Sequence, residues 1–395
     1  MNHDTPDAAA YDPFAYEYHT DPYPVYRELR DERPVHLVER HGFWVLSRHA
    51  DIVAALRNWQ VYSSSAGNVV DDPPERIGRT LGTTDPPVHD ELRAGVAPRF
   101  SNRAVRHLGE VVAESSRQLL ASWEPGHEID LVQDFAAPLT STLMGDLLGV
   151  PREDHDQMRA WRGAMVGRYP DRMGFTDEGQ AAFRELRQYM LDLVDRRADD
   201  PADDLLSDLL AASKENPTLN RDAIAVTALT VLGAGYQSMN YLISNALYAI
   251  GRFPAVRREL VEDPDLIGPG LEELMRWDSP TQGFARVLTT DQTLHGVTMR
   301  AGDRVLLLLA SANRDERAIE RPDEIDLHRG RVPHLSFGMG THFCIGAGLG
   351  RLAGKISIEQ FLARAPEFEV DISTADHIHS PTFRGLNRLR VFRTG

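Results

Sequence analysis

The segment LNRDAIAVTALTVLGAGYQSMNYLISNALYAIGRF, residues 219–253, limits the possible folds more than any other part of the chain. Its helical pattern runs from about Asn220 to Gly251. Asn220 is suited to cap it, and Asp222 in the first turn complements the helix dipole. Some 30 residues of α-helix span about 45 Å, the width of a whole domain. The middle, 228–235, is apolar on every side, so it should pass through the core and not lie on it. A chain that buries such a rod is mainly α, with other helices wrapped around it. Gly233 and Gly235 sit in that middle, where each costs roughly 1 kcal/mol relative to alanine. Their presence suggests that something approaches the helix backbone closely there.

The rest of the pattern agrees. Residues 24–32 read as a short amphipathic helix, and 34–40 and 42–48 as two strands of a hairpin turning at His41-Gly42. Residues 49–58 return to helix. Helical segments follow near 88–122, 131–148, 154–167 and 178–198. Residues 60–85 are rich in Ser, Gly, Asp and Pro and read as a long loop, of a length that is often functional. After residue 280 short alternating runs read as strands, then a helix spans about 345–365 and the end is again β-rich. The expected fold is mainly α with a small β region, one domain over 1–395, with 1–11 as a disordered tail.

Composition removes several classes of function. Of 395 residues 42% are hydrophobic and 26% charged, an ordinary globular balance. No apolar run is long enough to cross a bilayer, and the polar, acidic N-terminus lacks a signal pattern, so a cytoplasmic protein with no membrane partner is expected. A net charge of −16 argues against a nucleic-acid surface. The single cysteine excludes an internal disulfide framework and suits a reducing compartment.

That cysteine, Cys344, lies in FGMGTHFCIGAGLGR, residues 337–351. An isolated thiol is most simply a small buried hydrophobe. A zinc site needs more ligands than Cys344 and His342 at i−2, and no local base makes it a protease nucleophile. The glycine-rich approach and the helix that follows place the sulfur at a helix N-terminus, where free N–H groups favour a thiolate. Gly338 and Gly340 let backbone lie against a flat object, and Gly346 leaves room over the first helical turn.

The pattern Phe337-Gly-x-Gly-x-His-x-Cys344-x-Gly, with Leu349 and Arg351 after it, resembles the haem-binding loop of the cytochromes P450, and the resemblance spans roughly 12–393. It implies the fold of that family, with the long helix over a haem b (iron protoporphyrin IX) and Cys344 as the iron ligand. Glu273 and Arg276 match the family's Glu-x-x-Arg on one helix face, with Arg329 as the third member of a buried structural network. His89, Arg93, Arg286 and His334 stand where bacterial members hold the haem propionates, and Phe337, Ala234, Gly235, Gly338 and Gly346 would touch the cofactor. Asn68, Val69, Val70, Thr230, Gly233, Gln282, Phe284 and Phe383 carry over as the substrate pocket. With no flavin or iron–sulfur domain fused to it, the chain would draw electrons from NAD(P)H through an external ferredoxin reductase and ferredoxin. A basic patch of Arg93, Arg99, Arg103, Arg106, Arg351 and Lys355 is expected to dock the ferredoxin.

One segment departs from the family pattern. The central helix usually carries an acid and a threonine that relay protons to dioxygen; here Gln237 and Ser238 take those places. Glutamine cannot titrate but can orient a water. The substitution leaves two outcomes open. The first is oxygen insertion into a small aromatic or natural-product substrate of bacterial secondary metabolism, and the second is oxidative coupling of an aromatic, cyclodipeptide-like substrate. Gly350, where most bacterial members have alanine, is shared with coupling enzymes. A haem protein that binds gas or carries electrons is the non-enzymatic alternative.

Overall fold

The computed structural model describes residues 11–395 except 73, 166, 168, 170–173, 217 and 331–332. The expected tail lies outside these residues apart from Tyr11, which is buried and packs on Tyr18 and Tyr26.

The central helix is Arg221–Arg252, within a residue of its expected limits. The Asn220 side chain accepts a hydrogen bond from Ala223 N at 3.0 Å, satisfying one of the free N–H groups of the first turn. Buried residues occur all round it, from Ile224 to Ile250. Packed against it are the helices Ala137–Leu148, Asp177–Asp199, Ile267–Trp277 and Ala347–Arg364. Together they enclose a large apolar core.

The helical stretch expected near 88–122 is broken into Val88–Val96, a 3₁₀ turn Ala97–Phe100 and Asn102–Leu120. Pro98 cannot donate to a continuing ladder, and Ser101 starts the next helix by accepting from Ala104 N at 3.3 Å. Residues 131–148 enter as a π-turn, Leu131–Ala136, before Ala137–Leu148. Two further helices, Leu205–Ala212 and Pro254–Glu262, fall in stretches where the periodicity is short and was not assigned.

The expected hairpin is present, with Val35–Val38 antiparallel to Phe43–Leu46. It extends into a five-stranded sheet through Arg304–Leu307, Phe284–Leu288 and Tyr62–Ser63. A second, smaller core lies under this sheet, around Leu29, Val45, Leu46, Leu306 and Leu307. A three-stranded sheet of Glu128–Asp130, Arg390–Arg393 and Phe368–Val370 closes the C-terminal end.

The loop that leads to Cys344 is anchored by a buried ionic network. Arg276 forms a fork with Glu273, Nε to Oε2 at 2.7 Å and Nη2 to Oε1 at 2.9 Å. Its other N–H groups donate to the carbonyls of Asn313, Pro322 and Glu324 at 2.7–3.0 Å. Arg329 Nε and Asp326 N each reach Glu273 Oε1 at 3.0 Å. Burial alone would raise the Glu273 carboxyl; Arg276, the Asp326 N–H and Arg329 outweigh it and hold the group below its usual range. Removing one member strands a buried charge, which typically costs about 3–5 kcal/mol. Glu273→Ala should therefore lose that much stability in chemical denaturation and yield little folded protein, whereas a loss under about 1 kcal/mol is what an exposed pair would give.

Candidate active site

Between Leu335 and Gly346 the chain doubles back on itself. Gly338 N donates to Leu335 O at 2.8 Å, and Cys344 N closes the loop onto Phe337 O at 2.9 Å. Gly340 has φ +71°, and a β-carbon there would lie 2.4 Å from Leu56 O, so only glycine fits. The helix Ala347–Arg364 starts two residues later than expected, and the Gly346 N–H is turned to the sulfur. A β-carbon on Gly346 would make only ordinary contacts, 3.8 Å from the Phe100 ring and 3.9 Å from Cys344 Sγ.

The electrostatics of the sulfur differ from the expectation. Burial pushes the Cys344 thiol up, and the Gly346 N–H, Arg93 and Arg351 only partly counter it. The helix terminus alone does not hold this group as a thiolate, because desolvation of the anion is the larger effect. The anionic form needs a cation as its partner.

Cys344 opens into a cavity of about 1240 Å³, above the ~300–1,000 Å³ of most small-molecule sites. One side carries two arginines and two histidines. Arg286 is buried, its Nη1 donates to the adjacent Ala285 carbonyl at 2.7 Å, and burial, opposed by Asp85, brings it down to about 10. His89 is buried, with Nδ1 2.9 Å from Asp90 Oδ1, while its Nε2 has no hydrogen-bond partner among the described residues. Arg93 Nη1 donates to Phe343 O at 3.0 Å. The fourth member is His342, whose ring lies 4.6 Å from that of His89, edge to face. Burial first, then Arg286 and His89, brings His342 down to about 3. His342 stands at i−2 from Cys344 in the loop motif, and that fixed spacing is the sequence signal that places it at this wall.

His334 is a correction. It does not line the cavity; its Nε2 lies 3.0 Å from Glu272 Oε2. The physical reason is a carboxylate within reach on the neighbouring helix, which fixes the ring away from the cavity.

The opposite side is the central helix, which presents Thr230, Gly233, Ala234, Gly235, Gln237 and Ser238. The Ser238 hydroxyl donates to Ala234 O at 2.6 Å and the Thr230 hydroxyl to Val226 O at 2.8 Å. The nearest neighbours of the two glycines are the ends of flexible side chains. A β-carbon on Gly235 would lie 2.6 Å from Met144 Cε, and one on Gly233 would lie 3.4 Å from the Arg162 guanidinium. Asn68, Val69, Phe284 and Phe383 also face the cavity, as do Phe175 and Phe183, which no motif had marked.

Two expected pocket residues do not. Val70 is buried in the smaller core, and its carbonyl accepts from Arg304 at 2.7 Å. Gln282 points to the rear, accepting from Tyr26 OH at 2.9 Å and donating to Ser279 O at 2.8 Å, so its amide is satisfied away from the cavity.

The expected basic patch is also reduced. Arg99 is buried against Asp203 and Asp208, Arg351 is paired with Glu272, and Lys355 lies 3.5 Å from Glu359. Arg103 and Arg106 remain exposed.

This fold, with a cysteine on a tight loop beneath a long helix and a buried Glu–Arg–Arg network behind it, defines the cytochrome P450 class, and the chain belongs to that family. The family profile "Cytochrome P450" matches residues 269–387. Vitamin D(3) 25-hydroxylase of Pseudonocardia autotrophica is 34% identical over 391 residues, covering 96% of each chain. Mycinamicin IV hydroxylase/epoxidase of Micromonospora griseorubida is 34% identical over 359 residues, covering 88% of this chain and 89% of that one. The structure of PksS, a cytochrome P450 of the bacillaene polyketide synthase of Bacillus subtilis, superposes with a TM-score of 0.89 at 28% identity, covering 98% of this chain and all of that one. The protein is thus an oxidoreductase of the P450 monooxygenase family, with relatives in bacterial secondary metabolism. Among the described residues no helix is long and apolar enough to cross a membrane.

The family's cofactor is haem, and the residues here fit it. The orphaned His89 Nε2 and the under-satisfied Arg286 suit carboxylates, the absence of a side chain at Gly346 beside the sulfur suits a flat ring, and the buried sulfur suits a cationic centre.

The glycines of the loop differ in how much they are constrained. Gly340→Ala should cost about 1–2 kcal/mol for the left-handed backbone alone, before the clash with Leu56 O. Gly350→Ala should be neutral or stabilise by up to about 1 kcal/mol, since its β-carbon would make an ordinary contact, 3.5 Å from the Phe337 ring. Denaturation midpoints of the two variants check both; equal effects would contradict the loop geometry.

Proposed function

We propose that the chain is a haem-thiolate monooxygenase that inserts oxygen into a small, mainly apolar natural product held between Phe284, Phe383 and the central helix. The observation that carries this reading is the cavity itself. It has Cys344 on one side, the Ser238 hydroxyl on the other, and space beyond what a cofactor alone would need. A gas carrier has no use for that space.

Cys344 would hold the haem iron, with His89, Arg93, Arg286 and His342 facing the propionates. Haem, when bound, supplies the activation of dioxygen with electrons from NAD(P)H, delivered through a reductase and a ferredoxin. The protein's part is to orient the substrate, exclude bulk water and deliver protons. Ser238 is the hydroxyl placed for delivery. Its own proton is engaged with Ala234 O, so it acts as a relay, accepting from a water that Gln237 orients and passing its proton on. Oxidative coupling is the second reading, because Gln237 is not an acid and a phenolic or indolic substrate can supply hydrogen atoms itself.

The iron spin-state shift on titration with small aromatic and cyclodipeptide compounds would identify a substrate. With it, Ser238→Ala should release peroxide and lower product formed per NAD(P)H by about 10²-fold, the lower end of what a positioned proton-transfer group contributes. Product made under isotopically labelled dioxygen should be monomeric and carry one label. An unlabelled product lighter by two hydrogens per bond formed would instead support coupling.

A further inference from the structure

Glu272 and Arg351 are half-exposed charged groups behind the Cys344 loop, outside the cavity lining, that no step above uses. Glu272 is the residue next to Glu273 on the helix Ile267–Trp277, but its carboxylate faces a different set of partners. Arg351, in the second turn of the helix that follows Cys344, meets it as a fork, Nε to Oε1 at 2.7 Å and Nη2 to Oε2 at 2.9 Å. His334 Nε2 adds a third contact at 3.0 Å, and His334 Nδ1 accepts from Ser336 N at 3.2 Å. Burial alone would raise the Glu272 carboxyl, yet His334 and Arg351 hold it down to about 2, so it is ionised throughout the working range.

This triad fixes the Arg351 guanidinium 4.5 Å over the Phe337 ring. Phe337 is the residue whose carbonyl accepts from Cys344 N, and its ring forms part of the cavity wall beside the sulfur. Arg351 is one of two cations felt by Cys344, and the influence is mutual. The other, Arg93, lines the cavity and faces the propionate side. Arg351 does not line it, so it would keep its charge available to the sulfur when the cavity is filled. A guanidinium held by a bidentate carboxylate and an aromatic face is fixed in orientation, as a lone surface arginine is not.

We propose that Glu272 and Arg351 are positioning residues that hold a fixed positive charge and the Phe337 ring beside Cys344, and so limit how strongly the sulfur donates electron density to the iron it binds. The inference rests on Cys344 being the iron ligand. His334 belongs to the same device: it joins Glu272 to the loop and leaves the propionates to His342. A fixed cation near the site favours the state that has gained an electron, so its loss favours the ferric state.

The test is potentiometry of the one-electron ferric–ferrous couple of the purified holoprotein, with an external reductant, together with the Soret position of the reduced carbonmonoxy form. Arg351→Gln should move the reduction potential to more negative values and shift the Soret band. Arg351→Lys, which keeps the charge but not the fork or the stack, should move both less. Glu272→Gln should move the potential in the same negative direction, because it releases Arg351. If Glu272 acted only through its own charge, its removal would move the potential positive, and that result would overturn the positioning role. Arg103→Gln, on an exposed arginine outside the loop, should move nothing. An unchanged potential and band in Arg351→Gln, with thiolate ligation retained, would also overturn the proposal. Should Arg351→Gln or Glu272→Gln fail to retain haem, Arg351→Lys and Glu272→Asp carry the test, and no shift in either counts against it. A wild-type protein without the thiolate band would be a different failure, that of the haem-thiolate reading itself.

Discussion

Two consecutive carboxylates on one helix, Glu272 and Glu273, tie the Cys344 loop to the rest of the molecule. Glu273 faces Arg276 and Arg329 and is used for the fold: its carboxylate holds Arg276, which in turn donates to the carbonyls of Asn313, Pro322 and Glu324, and it accepts from Arg329 directly. Glu272 faces Arg351 and His334 and is used at the sulfur. The buried Glu273 pair adds little net stability over apolar packing, since desolvation offsets most of the attraction, and the half-exposed Glu272–Arg351 pair adds little because solvent screens it. What they provide is one geometry for a loop too rich in glycine to hold a shape alone.

The cavity above that loop is electrically uneven. At one end Arg286, His89, His342 and Arg93 stand with two nearby carboxylates, Asp85 and Asp90, and the unpartnered His89 Nε2 and the buried Arg286 are costly in an empty pocket and favourable once carboxylates enter. At the other end Phe284 and Phe383 offer apolar contact, and the polar groups of the central helix are largely turned back on their own backbone. The division separates a region built for a charged cofactor from one built for a less polar substrate.

How much of this is legible in the sequence follows from the range of the forces involved. The central helix was readable to within a residue, because capping and all-round burial are local signals. The contact of Glu273 with Arg276 was readable because three residues on a helix is a contact distance, while its burial was implied only by the family resemblance, since spacing alone equally describes a surface pair. His334 was misplaced and His342 missed because no period governs side-chain direction in a loop that turns at left-handed glycines; the carboxylate that captures His334 is 62 residues away in sequence. Arg99 was expected at the surface, yet its partners Asp203 and Asp208 lie more than a hundred residues further on. Gln282 and Val70 sit in irregular segments, where no alternation shows which side faces in.

The account stands on Cys344 as a thiolate ligand to haem iron, and the carbonmonoxy spectrum of the reduced holoprotein tests that most directly. The wild type should show the strongly red-shifted Soret band of thiolate ligation, and Cys344→His should lose it while the fold persists. A wild-type band at the unshifted position typical of a histidine-ligated haem would contradict the account.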